Sequence, residues 1–308
     1  MFLYCSNPFS SVKRFAFLLG LLAIAPSCNR DDVIVTDQPA DRSACNRVCE
    51  YLPAPGQFIN ETRTLRTMDE ACLWAEEQLA SPYGCISLGS FGGCIVVGFD
   101  HRVACTGGYD LAVGGNPLAS SSEPGIVWVM QDENGNGLPD DTWYELKGSE
   151  YGKNGTWQDY AVTYYRPEDD DAAVRWEDNR GQSGTIDRVK YHLQPSYYPA
   201  WVDAASYTLR GTRLEARNYF DEQKGEWVNP PYEWGYADNF SSIDRLAGEG
   251  PDTNRFRIAD AVQADGTPAE LAYIDFVKIQ TGVLAQSGDL GETSTEVFSV
   301  RDLNFNAE

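Results

Sequence analysis

Histidine and methionine are scarce in this chain, with 2 and 3 copies among 308 residues. His101 and His192 stand alone, and Cys45-x-x-x-Cys49 has no second Cys/His pair at matching spacing, which argues against zinc. There is no HExxH, GxSxG or Walker motif, so the zinc-protease, serine-hydrolase and P-loop signatures are missing. Basic residues are few, with 24 Lys+Arg against 46 Asp+Glu and a net charge of −22. Phosphate backbones would be repelled, and no basic run offsets that, so nucleic acid is not an expected partner. Beyond Ala25 no stretch is apolar enough for long enough to span a bilayer. No fixed repeat period points to a propeller or solenoid.

Oxygen ligands are abundant, and they are densest in Asp132-Glu-Asn-Gly-Asn-Gly-Leu-Pro-Asp-Asp141. Asp132, Asn134 and Asn136 stand at positions 1, 3 and 5 of a calcium loop, Gly137 allows the turn at 6, Leu138 offers its carbonyl at 7, and Asp140 stands at 9. Trp143 occupies position 12 in place of a bidentate Glu, so Asp141 or a residue elsewhere must close the shell. The alternative is a long polar hairpin turn in which the glycines only supply positive φ. The flanks, 125–130 and 142–147, are β-branched and aromatic, so the expectation is a structural calcium on a β scaffold.

At the start, Lys13-Arg14 and the apolar run Phe15–Ala25 lead to Pro26-Ser27-Cys28, the pattern of a signal peptide over residues 1–27. The small residue before Cys28 resembles a lipoprotein cleavage site, with Cys28 as the acylated residue. Asn29-Arg30-Asp31-Asp32 resembles the export signal that carries Bacteroidetes lipoproteins to the outer face of the outer membrane; retention on the periplasmic side is the alternative. In either case lipid chains are the only anchor. Residues 28–44 then read as a flexible tether and 45–308 as a single domain, its folded part beginning near Tyr51. Six cysteines remain, Cys45, Cys49, Cys72, Cys85, Cys94 and Cys105, an even number that suggests disulfides of open connectivity, with buried thiols as the alternative.

Thr67-x-x-Glu70 is a capping box, and Met68, Ala71, Cys72, Ala75 and Leu79 recur at helical spacing until Ser81-Pro82, with Trp74 off the stripe. From Cys85 onward the chain reads as all-β, a sandwich with one short N-terminal helix and long loops. Strands are predicted at 86–88, 93–99, 109–113, 126–130, 143–147, 160–165, 174–176, 207–209, 213–216, 273–280 and 295–300. The segments 177–206 and 217–270 read as long, functional loops.

Several motifs together carry a resemblance: Gly107-Gly-Tyr-Asp-Leu-Ala-Val113, Glu123-Pro-Gly-Ile-Val127, the loop 132–141, Trp143-Tyr-Glu-Leu-Lys-Gly148 and Trp234-Gly-Tyr-Ala-Asp238, with Gly92-Gly93 and Phe99-Asp100. From about Tyr51 to the C-terminus the chain resembles the Bacteroidetes lipoproteins called "cell surface protein". That likeness implies a galactose-binding-like or jelly-roll sandwich and, as some members lie near genes for TonB-dependent transporters, capture of a small nutrient, a corrinoid (cobalamin) among them. The ligand-binding candidates are the loop aromatics Trp176, Tyr197, Tyr198, Trp201, Trp227, Tyr232, Trp234 and Tyr236, whose rings cover a sugar face or corrin edge at small entropic cost. Asn179 and Arg180 could supply hydrogen bonds, and His192 could approach a cobalt. About half of such rings belong to the core in an ordinary sandwich. The alternative is a carbohydrate-binding module, and a further one a glycoside hydrolase with paired carboxylates such as Glu123 and Glu145.

Overall fold

The structure, a computed structural model, describes residues 41–60, 65–247 and 251–306. The signal peptide, Cys28, Asp31-Asp32 and the tether up to Ala40 lie outside the described residues. The chain from Arg42 onward belongs to the sandwich: Arg42 pairs with Asp100, and Ala44 bridges Arg301.

A six-stranded antiparallel sheet forms the spine, in the order Arg47–Leu52, Cys94–Ala104, Tyr273–Thr281, Gly125–Met130, Trp143–Leu146 and Ala261–Val262. Its central strands read as continuous apolar runs because both of their faces are covered. Along Gly125–Met130 the side chains alternate: Val127 and Val129 join a main core with Ile95, Val97, Val277 and Ile279, while Ile126 and Trp128 meet Leu214, Tyr232 and Tyr236 on the other side. A four-stranded antiparallel sheet, Arg245–Leu246, Asp252–Phe256, Leu111–Gly115 and Ser299–Asp302, adds Leu111, Val113, Phe256 and Val300 to the main core. Two sheets sharing one core make the β-sandwich that the strand pattern predicts. Each large apolar side chain fully buried between them contributes roughly 1.5–3 kcal/mol. A second four-stranded sheet, Ser206–Arg213, Trp157–Tyr165, Val174–Asp178 and Ser183–Ile186, builds a separate core around Phe91, Tyr160, Val162 and Tyr164.

The helix spans Met68–Ala80. Thr67 Oγ1 accepts the Glu70 N–H at 3.2 Å, and the Glu70 carboxylate reaches back to the Arg66 N–H at 2.7 Å. Ala71, Cys72 and Ala75 are buried, with Met68 and Leu79 at the edge of the core. Trp74 joins that edge too, its ring 5.7 Å from Tyr51, because an indole is long enough to lean across the helix flank.

Three local expectations are corrected. No disulfide joins the six described cysteines; burial holds the Cys72 thiol up at about 11 and those of Cys45 and Cys94 at about 12, marking them as inert packing groups. Of 213–216, only Arg213 lies in a strand; the chain then turns into the interior, with Leu214 donating to Gly282 O at 2.8 Å. The long segments 177–206 and 217–270 are not bare loops, since they contribute strands at Ser183–Ile186, Tyr219–Asp221, Glu226–Val228, Arg245–Leu246 and Asp252–Phe256. Among the described residues, no helix is long and apolar enough to cross a membrane.

Candidate functional site

The loop 132–141 folds on its own side chains. Asp132 accepts the N–H groups of Gly135, Asn136 and Gly137 at 2.8, 3.2 and 2.8 Å. Asn134 Oδ1 accepts from Asn136 N, and Asn136 Oδ1 from Leu138 N. Gly135 and Gly137 sit at φ +72 and +73, a conformation only glycine adopts cheaply. Asp141 turns inward and accepts from Glu133 N at 2.9 Å, while Asp140 takes the amides of Asn134 and Asn136. Three carboxylates and two carboxamides thus lie in one ten-residue loop, with Asp140 and Asp141 sharing the Asn134 amide while Asp132 gathers backbone N–H groups. That donor set fits a hard cation, which takes several oxygens at once. Calcium, were it bound there, would be held by Asp132, Asn134, Asn136, Leu138 O, Asp140 and Asp141 and would supply a structural staple. Asp275, from the strand Tyr273–Thr281, ties the loop to the sheet by accepting Asp132 N at 2.8 Å. Sequence reading missed it, for a lone acid in a strand carries no spacing signal.

The predicted ligand-binding aromatics do not gather into one patch. Tyr197, Tyr198, Trp201, Tyr232 and Tyr236 are buried, and their polar tips are spent on backbone: Tyr198 donates to Ala204 O, Tyr232 to Glu215 O, and Trp201 Nε1 to Tyr51 O. They are core residues, because the segments carrying them cover the outer faces of the sheets and need large rings with a polar end. Half-buried Trp176 packs on Gly184, where a Cβ would stand 2.7 Å from its ring. Trp227 packs edge-on against Phe220 in a small hairpin. Asn179 locks its turn by donating to Asp159 O, and the exposed Arg180 lies 5.1 Å over Trp157. His192 is half-buried with its ring 4.3 Å from Phe58.

Trp234 differs from the rest: it is half-buried and lines a cavity of about 220 Å³. Separated segments of the chain meet there. Gly235, at φ +87, lies so near Gly148 that a Cβ would come within 2.4 Å of the Gly148 Cα. Glycine at both positions therefore lets the Trp234 turn rest directly on the end of the strand Trp143–Leu146, and Ser149 N donates to Trp234 O at 2.9 Å. Tyr109 enters from the start of the strand Leu111–Gly115. Arg255 and Arg257 flank the buried Phe256, and their guanidinium carbons lie 4.2 and 4.9 Å from the Tyr109 ring centroid. Lys147 and Asp260 complete the lining used here, and burial raises the Asp260 carboxyl against the pull of Arg257 and Lys147. Tyr109, Lys147 and Trp234 all belong to motifs that the sequence singled out, but nothing in their order shows that they meet.

In a second acidic cluster Asp238 is buried and Glu123 and Glu296 are half-buried. Carboxylate oxygens of Glu123, Asp238 and Glu296 lie within 4.8 Å of one another. Asp238, at φ +50, accepts Asn116 N at 2.9 Å and Glu296 N at 3.0 Å. Burial, then the charge of Glu296, pushes the Glu123 and Asp238 carboxyls well above the usual range. Glu292, 3% exposed, is raised to about 8 by burial, and its Oε2 has no partner among the described residues. Such a group of carboxylates can share protons or hold a cation. Glu145 stands elsewhere, raised to about 7 by burial and bonded to the Thr212 hydroxyl. It faces Trp128 across the strand Gly125–Met130, while Glu123 precedes that strand and interacts instead with Glu296, Asp238 and Glu292.

No protein-family model matches this chain, and no curated protein matches it. The likeness to the "cell surface protein" lipoproteins therefore rests on the motifs quoted above.

Proposed function

We propose that this chain is a lipid-anchored capture protein on the outer-membrane surface, holding a small nutrient molecule for a TonB-dependent transporter, with calcium in the loop 132–141 as a structural staple. One observation carries the reading: the cavity beside Trp234, where one aromatic face and convergent polar side chains are set on a rigid antiparallel scaffold. Its 220 Å³ lies below the roughly 300 Å³ at which pockets for drug-sized ligands begin. A single sugar unit fits inside such a volume, whereas a corrinoid would rest across the mouth. The size thus favours the carbohydrate form of capture over the cobalamin form.

A thermal-shift titration of the full chain in detergent, in EDTA and in calcium, against cyanocobalamin and a glycan panel tests this. A ligand that binds only the folded state raises the melting temperature. A shift with either ligand class that Trp234→Ala removes is the expected result. A shift with calcium alone would leave the staple standing and end the capture reading.

A further inference from the structure

Three cations, Lys147, Arg255 and Arg257, line one cavity, and among the described residues none of the three forms an ion pair. The two acids beside them are committed or apart. Asp244 is 2% exposed and accepts from Gly235 N and the Asn254 amide. Asp260 feels the charges of Arg257 and Lys147, but neither reaches it within ion-pair distance. Three cations against two acids leave a net positive potential in a half-enclosed space, where low-dielectric walls concentrate it.

The two arginines are also ordered in advance. Both stack near Tyr109, and Arg255 Nε donates to Asp244 O at 3.3 Å, which fixes its stem. A guanidinium held this way presents its fork to a planar or tetrahedral acid group with less entropy left to lose. Trp234 supplies a flat apolar surface at the same cavity.

We infer that the Trp234 cavity takes a sugar-sized organic anion, its carboxylate or phosphate held by Arg255, Arg257 and Lys147 and its apolar face laid on Trp234. The inference rests on the capture reading and narrows it to a charged ligand. A neutral sugar leaves the three cations without a direct ion pair, and bare phosphate leaves the indole unused.

Calorimetric titration of the full chain in detergent, with calcium, tests it using glucuronate, glucose 6-phosphate, glucose and inorganic phosphate. Glucuronate or glucose 6-phosphate binds, glucose binds at least about tenfold more weakly, and the affinity falls as salt rises. Arg255→Met and Arg257→Met each weaken the organic anion about tenfold or more, and Arg255→Lys, which keeps the charge and the fold, falls between. Trp234→Ala weakens the organic anions and leaves phosphate unchanged. Glucose binding as tightly as glucuronate, with Arg255→Lys and Arg255→Met both silent, would overturn the charged class and leave capture standing. Inorganic phosphate binding as tightly as glucose 6-phosphate would overturn the sugar half. Cyanocobalamin or a neutral glycan binding without regard to Trp234 would place capture elsewhere and refute this site. If none of these ligands binds, both readings fall.

Discussion

The chain gathers carboxylates in two places by opposite means. In the loop 132–141 the acids are near neighbours in sequence, exposed in the main, and held by hydrogen bonds within the loop itself. In the Glu123–Asp238–Glu296 cluster they arrive from three distant points of the chain and are held by surrounding backbone amides. The first arrangement forms wherever the loop closes. The second exists only when the whole sandwich is assembled, so its electrostatic cost is drawn from global stability.

That contrast can be broken experimentally, and pH should show the largest effect. Glu145 and Glu292 have folded values of about 7 and about 8, above the ordinary 4.5, so the fold binds more protons than the unfolded chain between these limits. Their contribution is whole below the unfolded value and is lost as pH rises through 7 and then 8. Every tenfold difference in proton affinity between the folded and unfolded chain corresponds to about 1.4 kcal/mol. Urea midpoints in EDTA should therefore fall by several kcal/mol-equivalents between mildly acidic and mildly alkaline solution, with Glu145→Gln flattening the earlier part. A flat profile would mean that these acids are hydrated and the interior is not as closed as described.

Next in size, Asp238→Ala strands the partly buried N–H groups of Asn116 and Glu296 and should cost about 2–4 kcal/mol in chemical denaturation. Calcium should stabilise by about 2.7 kcal/mol at a hundredfold excess over its Kd, and Asp132→Ala should abolish that gain. If Asp132→Ala keeps the calcium response and Asp238→Ala loses it, the ion belongs to the Asp238 cluster and the comparison is reversed. The smallest effect is expected from Asp275→Ala, which releases one hydrogen bond between loop and sheet. Roughly 1 kcal/mol and a modest loss of calcium affinity should follow, read by melting in graded calcium.

What could be read in advance follows the same division. The helix was legible because Thr67 and Glu70 signal its start within four residues, and the apolar strands because burial on both faces leaves long runs such as Gly125–Met130. The strand Arg47–Leu52 was not, for a bulge between Val48 and Glu50 breaks its alternation. The loop 132–141 was visible as a spacing, while the ring of Tyr109, Lys147, Trp234, Arg255 and Arg257 has no spacing to see. Tyr197, Tyr198 and Tyr236 misled because tyrosine suits both a binding surface and a wet-edged core, and only the tertiary fold decides which side of the ring meets water.

The contact between Gly148 and Gly235 has a consequence for how such a cavity can change over generations. Its floor is main chain against main chain, and a methyl group at Gly148 would strike the Tyr236 ring at 2.4 Å. Replacement there closes or tilts the whole recess. On the capture proposal, the side chains at 109, 255 and 257 that would meet a ligand lie on stretches other than that floor. A lineage built on this scaffold can change the chemistry of the recess one side chain at a time while inheriting the container unchanged.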